Sequence, residues 1–209
     1  MSFTNSDAEF FRLSPFLDML RKKLSMLPTK HRLAFGLYCC ERLYPSYVLL
    51  AEKIRSDSSV IRSLLDRLWQ HICDGHLDQQ ELEQFQEQLQ ELNFGEEGCC
   101  DEQDGAIDAA GAVWLTLEAW RHESAANTAK VAGNLLNRIH QRLMDEEAGS
   151  DYSLSAEEMR VLMQRIEEHQ AMKAVQQQLL QIVEFLNQMP LATAADAERL
   201  RTIAREGAA

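Results

Sequence analysis

The sequence predicts an all-α protein, and three observations carry that prediction. Apolar residues recur at three- and four-residue spacing through most of the 209 residues. No stretch alternates apolar and polar positions over a useful strand length. Helix breakers are few, with 9 Gly and 4 Pro, while Leu, Ala, Glu and Gln are abundant. The expected architecture is a single all-helical domain over residues 1–209, a bundle of about eight helices with no β-sheet. A chain of this length can bury a core without disulfides or a structural metal.

The first elements read in order as follows. Ser6 is a candidate cap for a short segment carrying Phe10 and Phe11. Ser14-Pro15 is a better start, because proline at the first helical position gives up an amide that has no partner there anyway. Phe16, Leu20, Leu24 and Leu27 then form a stripe, which Pro28 and Thr29 end while capping the next helix. That helix carries Leu33, Leu37, Cys40 and Tyr44 on one face. Pro45 is expected to break it and start another, with Tyr47, Leu50 and Ile54 on the matching face. After a polar turn from Arg55 to Ser59, Ile61, Leu64, Leu65, Leu68, Trp69 and Ile72 make the strongest amphipathic pattern in the chain.

Asp74-Gly75 closes that helix, and Asp78 can cap a Gln/Glu-rich one whose narrow seam (Leu82, Phe85, Leu89, Leu92) places it on the outside. Residues 93–105 read as a loop. A small-residue helix from about Ala106 to His122 invites close approach at Ala109, Ala110, Gly111 and Ala112. A further helix spans roughly 125–146, and Gly149 to Ser153 is a second loop. Ser155-x-x-Glu158 is a capping box ahead of a long helical run, with a bend expected in its polar middle between Glu167 and Lys173. Pro190 stops the run, and Thr193 caps a last helix through about Arg205.

Charge bounds the function. The net charge of −12 is uneven: residues 1–62 carry ten Lys/Arg against six Asp/Glu, leaving −16 on the remainder. From Leu68 to Trp120 there are 13 carboxylates and no Lys or Arg. Nucleic-acid affinity begins with cations displacing counterions from phosphates, so this field argues against DNA or RNA as partners. It is either a solvated acidic face or a docking surface for a basic protein. No segment has the pattern of a secretion signal, and no apolar run approaches a membrane span. Five cysteines, with two adjacent pairs (Cys39-Cys40 and Cys99-Cys100), suit reduced thiols. The expectation is a cytoplasmic protein with no membrane association.

The familiar chemistries find little support. His71, Cys73 and His76, with Cys99 and Cys100, are zinc-ligand types, but two residues apart on a helix places His71 and Cys73 on different faces. No Glu has His three residues later, as a di-iron bundle needs. A calcium-loop register over 100–111 would put Cys100 and Gly111 at the two strongest carboxylate positions. Cys39 and Cys40 read as buried thiols of raised pKa, and Cys40 as core. Cys99 and Cys100 sit among carboxylates that disfavour thiolate. Glu118 and His122 suit a weak surface pair. No phosphate-binding glycine loop or nucleophile elbow is present. No catalytic residue, metal or cofactor is assigned.

What remains is a set of polar residues inside apolar helices: Glu41, Arg42, Tyr44, Tyr47 and Asp66, with His31 nearby. One reading has Glu41 or Asp66 paired with Arg42 or Arg62 across helices as buried structure. The other has Glu41, Arg42, Tyr44, Tyr47 and Asp66 lining a polar pocket for a small ligand. On the first, Glu41→Gln and Asp66→Asn both lower the melting temperature.

The run Cys40-Glu41-Arg42-Leu43-Tyr44-Pro45-Ser46-Tyr47, with Leu64-Leu65-Asp66-x-Leu68-Trp69 and Ala106-Ile107-Asp108-Ala109, resembles the YjaG-like bacterial family, domain of unknown function 416. The likeness spans most of the chain and is strongest from about Leu33 to Trp69. It implies an all-helical cytosolic protein and brings no activity, cofactor or catalytic residue. Two functions stand open: a non-enzymatic interaction or scaffold module whose acidic 68–120 surface or C-terminal helices dock a protein partner or a second copy, and a small-molecule binder or enzyme using the polar residues above.

Overall fold

The structure, a computed structural model, describes residues 14–74, 79–92, 94, 101–148, 154–191 and 193–207. Among the described residues there are nine helices and no strand: α1 (Ser14–Ser25), α2 (Thr29–Lys53), α3 (Ser59–Asp74), α4 (Gln79–Gln90), α5 (Asp101–Arg121), α6 (Ala125–Ala148), α7 (Ala156–Glu168), α8 (Gln170–Gln188) and α9 (Ala194–Glu206). None of these helices is long and apolar enough to cross a membrane. The expected segment around Phe10 and Phe11, the Asp78 cap, and His76, Cys99 and Cys100 lie outside the described residues.

The fold is arranged around α2. Nine consecutive residues, Leu33 to Glu41, are all buried, so this stretch has neighbours on every side rather than on one stripe. Those neighbours are α3, α5, α6, α8 and α9. Helices covered on one side keep the expected amphipathic pattern. α3 buries Ile61, Leu64, Leu65, Leu68, Trp69 and Ile72, and α4 buries Leu82, Phe85, Gln86 and Leu89.

Pro45 does not break α2, which continues to Lys53 as one helix of 25 residues. Proline forfeits the helical bond to the Glu41 carbonyl. The apolar stripe nevertheless stays in phase across it, and Leu43, Tyr47, Leu50 and Ala51 are buried on either side. Burial of residues on both sides of it outweighs the lost bond, and Pro45 itself is exposed.

Two other boundaries differ from the pattern-based reading. α5 begins at Asp101, so the loop expected to reach 105 ends earlier. Its first turn is anchored from other helices: Lys53 lies 3.2 Å from Glu102, and a Cβ on Gly105 would stand 3.0 Å from that of Ser46. The long C-terminal run is cut at His169 rather than bent. His169 is extended (ψ 141°), ends α7, and caps α8 by accepting the Ala171 amide on Nδ1 at 3.2 Å. Capping boxes form at Ser155/Glu158 and at Thr193/Asp196.

The α2–α5 contact is close because both helices present small residues. Ala106, Ala109, Ala110, Gly111 and Ala112 are buried on α5, and Gly36 of α2 faces Thr116. The Thr116 hydroxyl donates to the Ala112 carbonyl at 2.8 Å and sits 3.4 Å from Cys40 Sγ. A Cβ on Gly36 would meet Thr116 Oγ1 at 2.9 Å. Gly36→Ala gains helix propensity but must separate the helices, so it is expected to lower stability by about 1–2 kcal/mol. In a Thr116→Ala background the same change becomes neutral or stabilising. Denaturant midpoints of the four proteins check this, and equal effects of Gly36→Ala in both backgrounds would exclude this contact as the reason for glycine.

Candidate functional site

The polar residues picked out in the sequence do not all converge. Glu41, Tyr44 and Asp66 gather around Arg62, whereas Arg42, Tyr47 and His31 face other neighbours.

The centre of the first group is the Glu41 carboxylate, whose side chain is 1% exposed. Arg62 of α3 grips it bidentately, Nη1 on Oε2 at 2.8 Å and Nη2 on Oε1 at 2.7 Å. Oε1 also accepts the Trp69 indole N–H at 2.9 Å and Arg201 Nε at 2.9 Å. Arg205 Nε reaches Oε2 at 3.4 Å. Asp66 accepts from Arg62 Nε at 3.0 Å and from Arg201 Nη2. The Arg62 guanidinium lies over the Tyr44 ring, 5.1 Å from its centroid. Three guanidinium groups thus meet two carboxylates where α2, α3 and α9 join.

Burial alone would push the Glu41 carboxyl up. The Arg62 hydrogen bonds and the charges of Arg62, Arg201 and Arg205 outweigh that and hold it below the usual range. Arg62 is the partner the sequence reading allowed. Arg201 and Arg205 were not foreseen, because they stand 160 and 164 residues away and look like ordinary polar-face arginines of a surface helix.

Arg42, the next residue, points to α8 instead. Its Nη1 donates to Gln178 Oε1 at 2.6 Å. It forms no ion pair among the described residues, and its buried Nε has no aligned acceptor. Beside it, the fully buried Tyr38 hydroxyl also lacks an aligned partner. Burial pushes that phenol up, and the Arg42 charge opposes the shift. Tyr47 is 2% exposed and packs edge-on against Phe94 (6.4 Å, 79°), its phenol likewise raised by burial. His31 Nε2 sits 2.7 Å from the Met189 carbonyl oxygen.

The described cysteine and histidine candidates meet separate partners. Cys39 and Cys40 are buried, and burial raises both thiols, Cys40 to about 12. His71 lies 3.2 Å from the Glu81 carboxylate, while the Cys73 thiol is turned to the Trp69 carbonyl. His122 approaches Glu118 at 3.4 Å.

A second shifted carboxyl was not singled out as a site residue. Asp108 of α5 receives Asn137 Nδ2 at 3.2 Å on Oδ2, and its backbone carbonyl accepts Asn134 Nδ2 at 3.2 Å. Burial pushes its carboxyl up to about 7; the Asn137 bond and Arg138 pull it down and Asp104 pushes it up.

The comparisons with known proteins speak to family and fold. A family model described as "Protein of unknown function (DUF416)" matches residues 19–209. The crystal structure of a DUF416 family protein from Shewanella baltica OS155 is similar at a TM-score of 0.69 and 23% identity, covering 89% of this chain and 93% of that one. That likeness concerns the fold. No curated protein matches.

Two pH windows separate the two carboxyls. Glu41 has a depressed folded pKa, so its stabilisation is present above the unfolded carboxylate pKa of about 4.3 and is lost as pH falls through the lower folded value. Glu41→Gln leaves Arg62 and Arg201 facing no buried anion and is expected to cost about 3 kcal/mol at neutral pH. Asp66→Asn, at a side chain 49% exposed, costs under about 1 kcal/mol. An unchanged melting temperature for Glu41→Gln would exclude a structural role. Asp108 has a raised folded pKa, so its contribution is complete below the unfolded value of about 3.9 and is lost as pH rises toward 7. Urea midpoints of the wild type should therefore decline across that window, by up to ~1.4 kcal/mol per pH unit, and Asp108→Asn should flatten the decline. Parallel profiles would rule out Asp108 as the titrating group.

Proposed function

The chain belongs to the DUF416 family, described as of unknown function, and on that footing we propose that it is a non-enzymatic protein-interaction module presenting an acidic helical face to a basic protein partner. One observation carries the reading. Glu83, Glu87 and Glu91 recur every four residues along the exposed side of α4 and the turn that follows it. Residues Gln79–Gln90 contain no Lys or Arg, and Glu87 and Glu91 make no ion pair among the described residues. Like charges at this spacing destabilise a helix by about 0.2–0.5 kcal/mol per pair, and two of the three lie toward its negative end. Glu83 accepts from Gln79 Nε2 at 2.8 Å within the helix, but Glu87 and Glu91 bring the fold no such contact among the described residues, whereas a cationic partner would gain from them.

The central polar residues supply no competing catalytic arrangement, because Glu41 already accepts five hydrogen bonds. A photo-crosslinking side chain at exposed Gln84, in the protein's own cells, should give a discrete adduct with a basic protein. Glu83→Gln/Glu87→Gln/Glu91→Gln should abolish it while leaving the melting temperature within about 2 °C, since surface changes of this kind are small. No adduct, or one that persists in the triple variant, would overturn the reading.

A second reading, a binder of a small oxyanion, is favoured by Arg42. This guanidinium has no carboxylate among the described residues; its buried Nε lacks an aligned acceptor, and the neighbouring Tyr38 phenol is the polar group that interacts with it besides Gln178. A charge held this way calls for an anion. Inorganic phosphate should raise the melting temperature of the wild type and not of Arg42→Gln. Equal shifts in both proteins would dismiss this reading.

A further inference from the structure

We infer that α9 is an exchangeable helix: the face of α2 and α3 around Glu41 and Asp66, which α9 covers within one chain, receives the α9 of a second copy, so that two copies pair by trading it. The inference goes beyond the acidic face of α4 and does not depend on it. α9 is the last of the described helices, so none of the others has to move with it. It packs mainly on α2 and α3. The apolar face it buries is small, made of Ala197, Leu200 and Ala204. Most of its hold is polar, through Arg201 and Arg205. Every contact it makes, the Arg199 guanidinium 5.2 Å from the Phe185 ring centroid included, re-forms unchanged on the other copy.

The surface beneath α9 keeps its own support when the helix leaves. Of the five hydrogen bonds that Glu41 accepts, Arg62 and Trp69 of α3 supply three and α9 supplies two. Asp66 likewise keeps Arg62 Nε at 3.0 Å. The buried carboxylate is never left without a cation, so opening avoids the penalty that usually locks such a charge in place. What the vacated face lacks is the second cation, since Glu41 and Asp66 then share Arg62. A face of that charge selects a helix with arginines on its apolar side. Arg201 and Arg205, one turn apart beside Leu200 and Ala204, give α9 that pattern, and every copy of the chain presents it. The entry to α9 is strained. Leu191 is 1% exposed and holds φ at 44°, in the left-handed region that leucine rarely adopts. Straightening there, as α9 swings to a second copy, relieves that geometry, and a short connection under strain favours exchange.

The test uses the full-length protein. In the wild type, the amides of residues 194–206 should exchange with solvent about tenfold or more faster than those of residues 33–41. Equal rates would mean that α9 opens only when the whole fold does, and would overturn the exchange. Sedimentation of concentrated wild type should show a dimer that the Gln triple variant on α4 also forms. A monomer at every concentration would overturn the proposal. Loss of the dimer in the triple variant would do the same and return the contact to the acidic face. Arg201→Lys sets an amine against Asp66, where a carbodiimide joins the two. In dimers formed from an equal mixture of heavy-isotope and normal Arg201→Lys protein, about half of the crosslinked α3–α9 peptide pairs should mix isotopes, as random exchange requires. Pairs of a single isotope would exclude exchange of α9. The exchange rates and the sedimentation need no variant in the cluster, so they decide the matter if Arg201→Lys does not fold.

Discussion

A single buried carboxylate sets the terms for the rest of the fold. Glu41 sits in the stretch of α2 that is covered on all sides, where an unpaired charge would be ruinous. Its compensation comes from outside its own helix: Arg62 and Trp69 from α3, Arg201 and Arg205 from α9. The C-terminal helix must therefore return to the middle of the molecule in one register, with both arginines on the side that meets α2. Apolar contacts of Leu200 and Ala204 help bury α9, but such contacts tolerate sliding more readily than a bidentate or multiply bonded carboxylate does. Orientation of α9 is the clearest structural consequence of placing Glu41 where it is.

Asp108 makes an instructive contrast. Both carboxyls are withdrawn from water, and burial raises both. The outcome differs because the partners differ. Guanidinium groups return more than the lost hydration of Glu41, whereas the Asn137 carboxamide offers Asp108 a neutral donor and Arg138 acts on it only through its charge. One carboxyl is thus locked as an anion, and the other changes charge within the range in which cells operate. Arg42 is the mirror of this case, a cation that meets the amide oxygen of Gln178 and the Tyr38 phenol rather than a carboxylate among the described residues.

Outside the core, the charge pattern serves no comparable purpose. The exterior of α4 holds carboxylates at a spacing that opposes helix formation. Glu41 and Asp66 are engaged in holding α2, α3 and α9 together, whereas Glu87 and Glu91 form no ion pair among the described residues. That division is why the functional reading looks outward, to basic protein surfaces, rather than inward to a reaction.

The sequence by itself determined whatever depends on residues within a few turns of each other. Helical periodicity over Ile61–Ile72, the Ser155/Glu158 box, the Thr193 cap, the narrow seam of α4 and the burial of Cys40 could all be read directly, because each is local geometry. The Cys40–Tyr47 element also pointed to the family. The tertiary structure alone decided what depends on distant neighbours. α2 runs through Pro45 because partners pack both halves; α5 begins at Asp101 beside Lys53 and Ser46; the C-terminal run divides at His169. Above all, it chose which arginines hold Glu41. Arg42 is adjacent in sequence yet points to α8, whereas Arg201 lies 160 residues away and is bonded to it. Consecutive residues on a helix project about 100° apart, so adjacency in the chain separates side chains that packing alone can bring to a common partner.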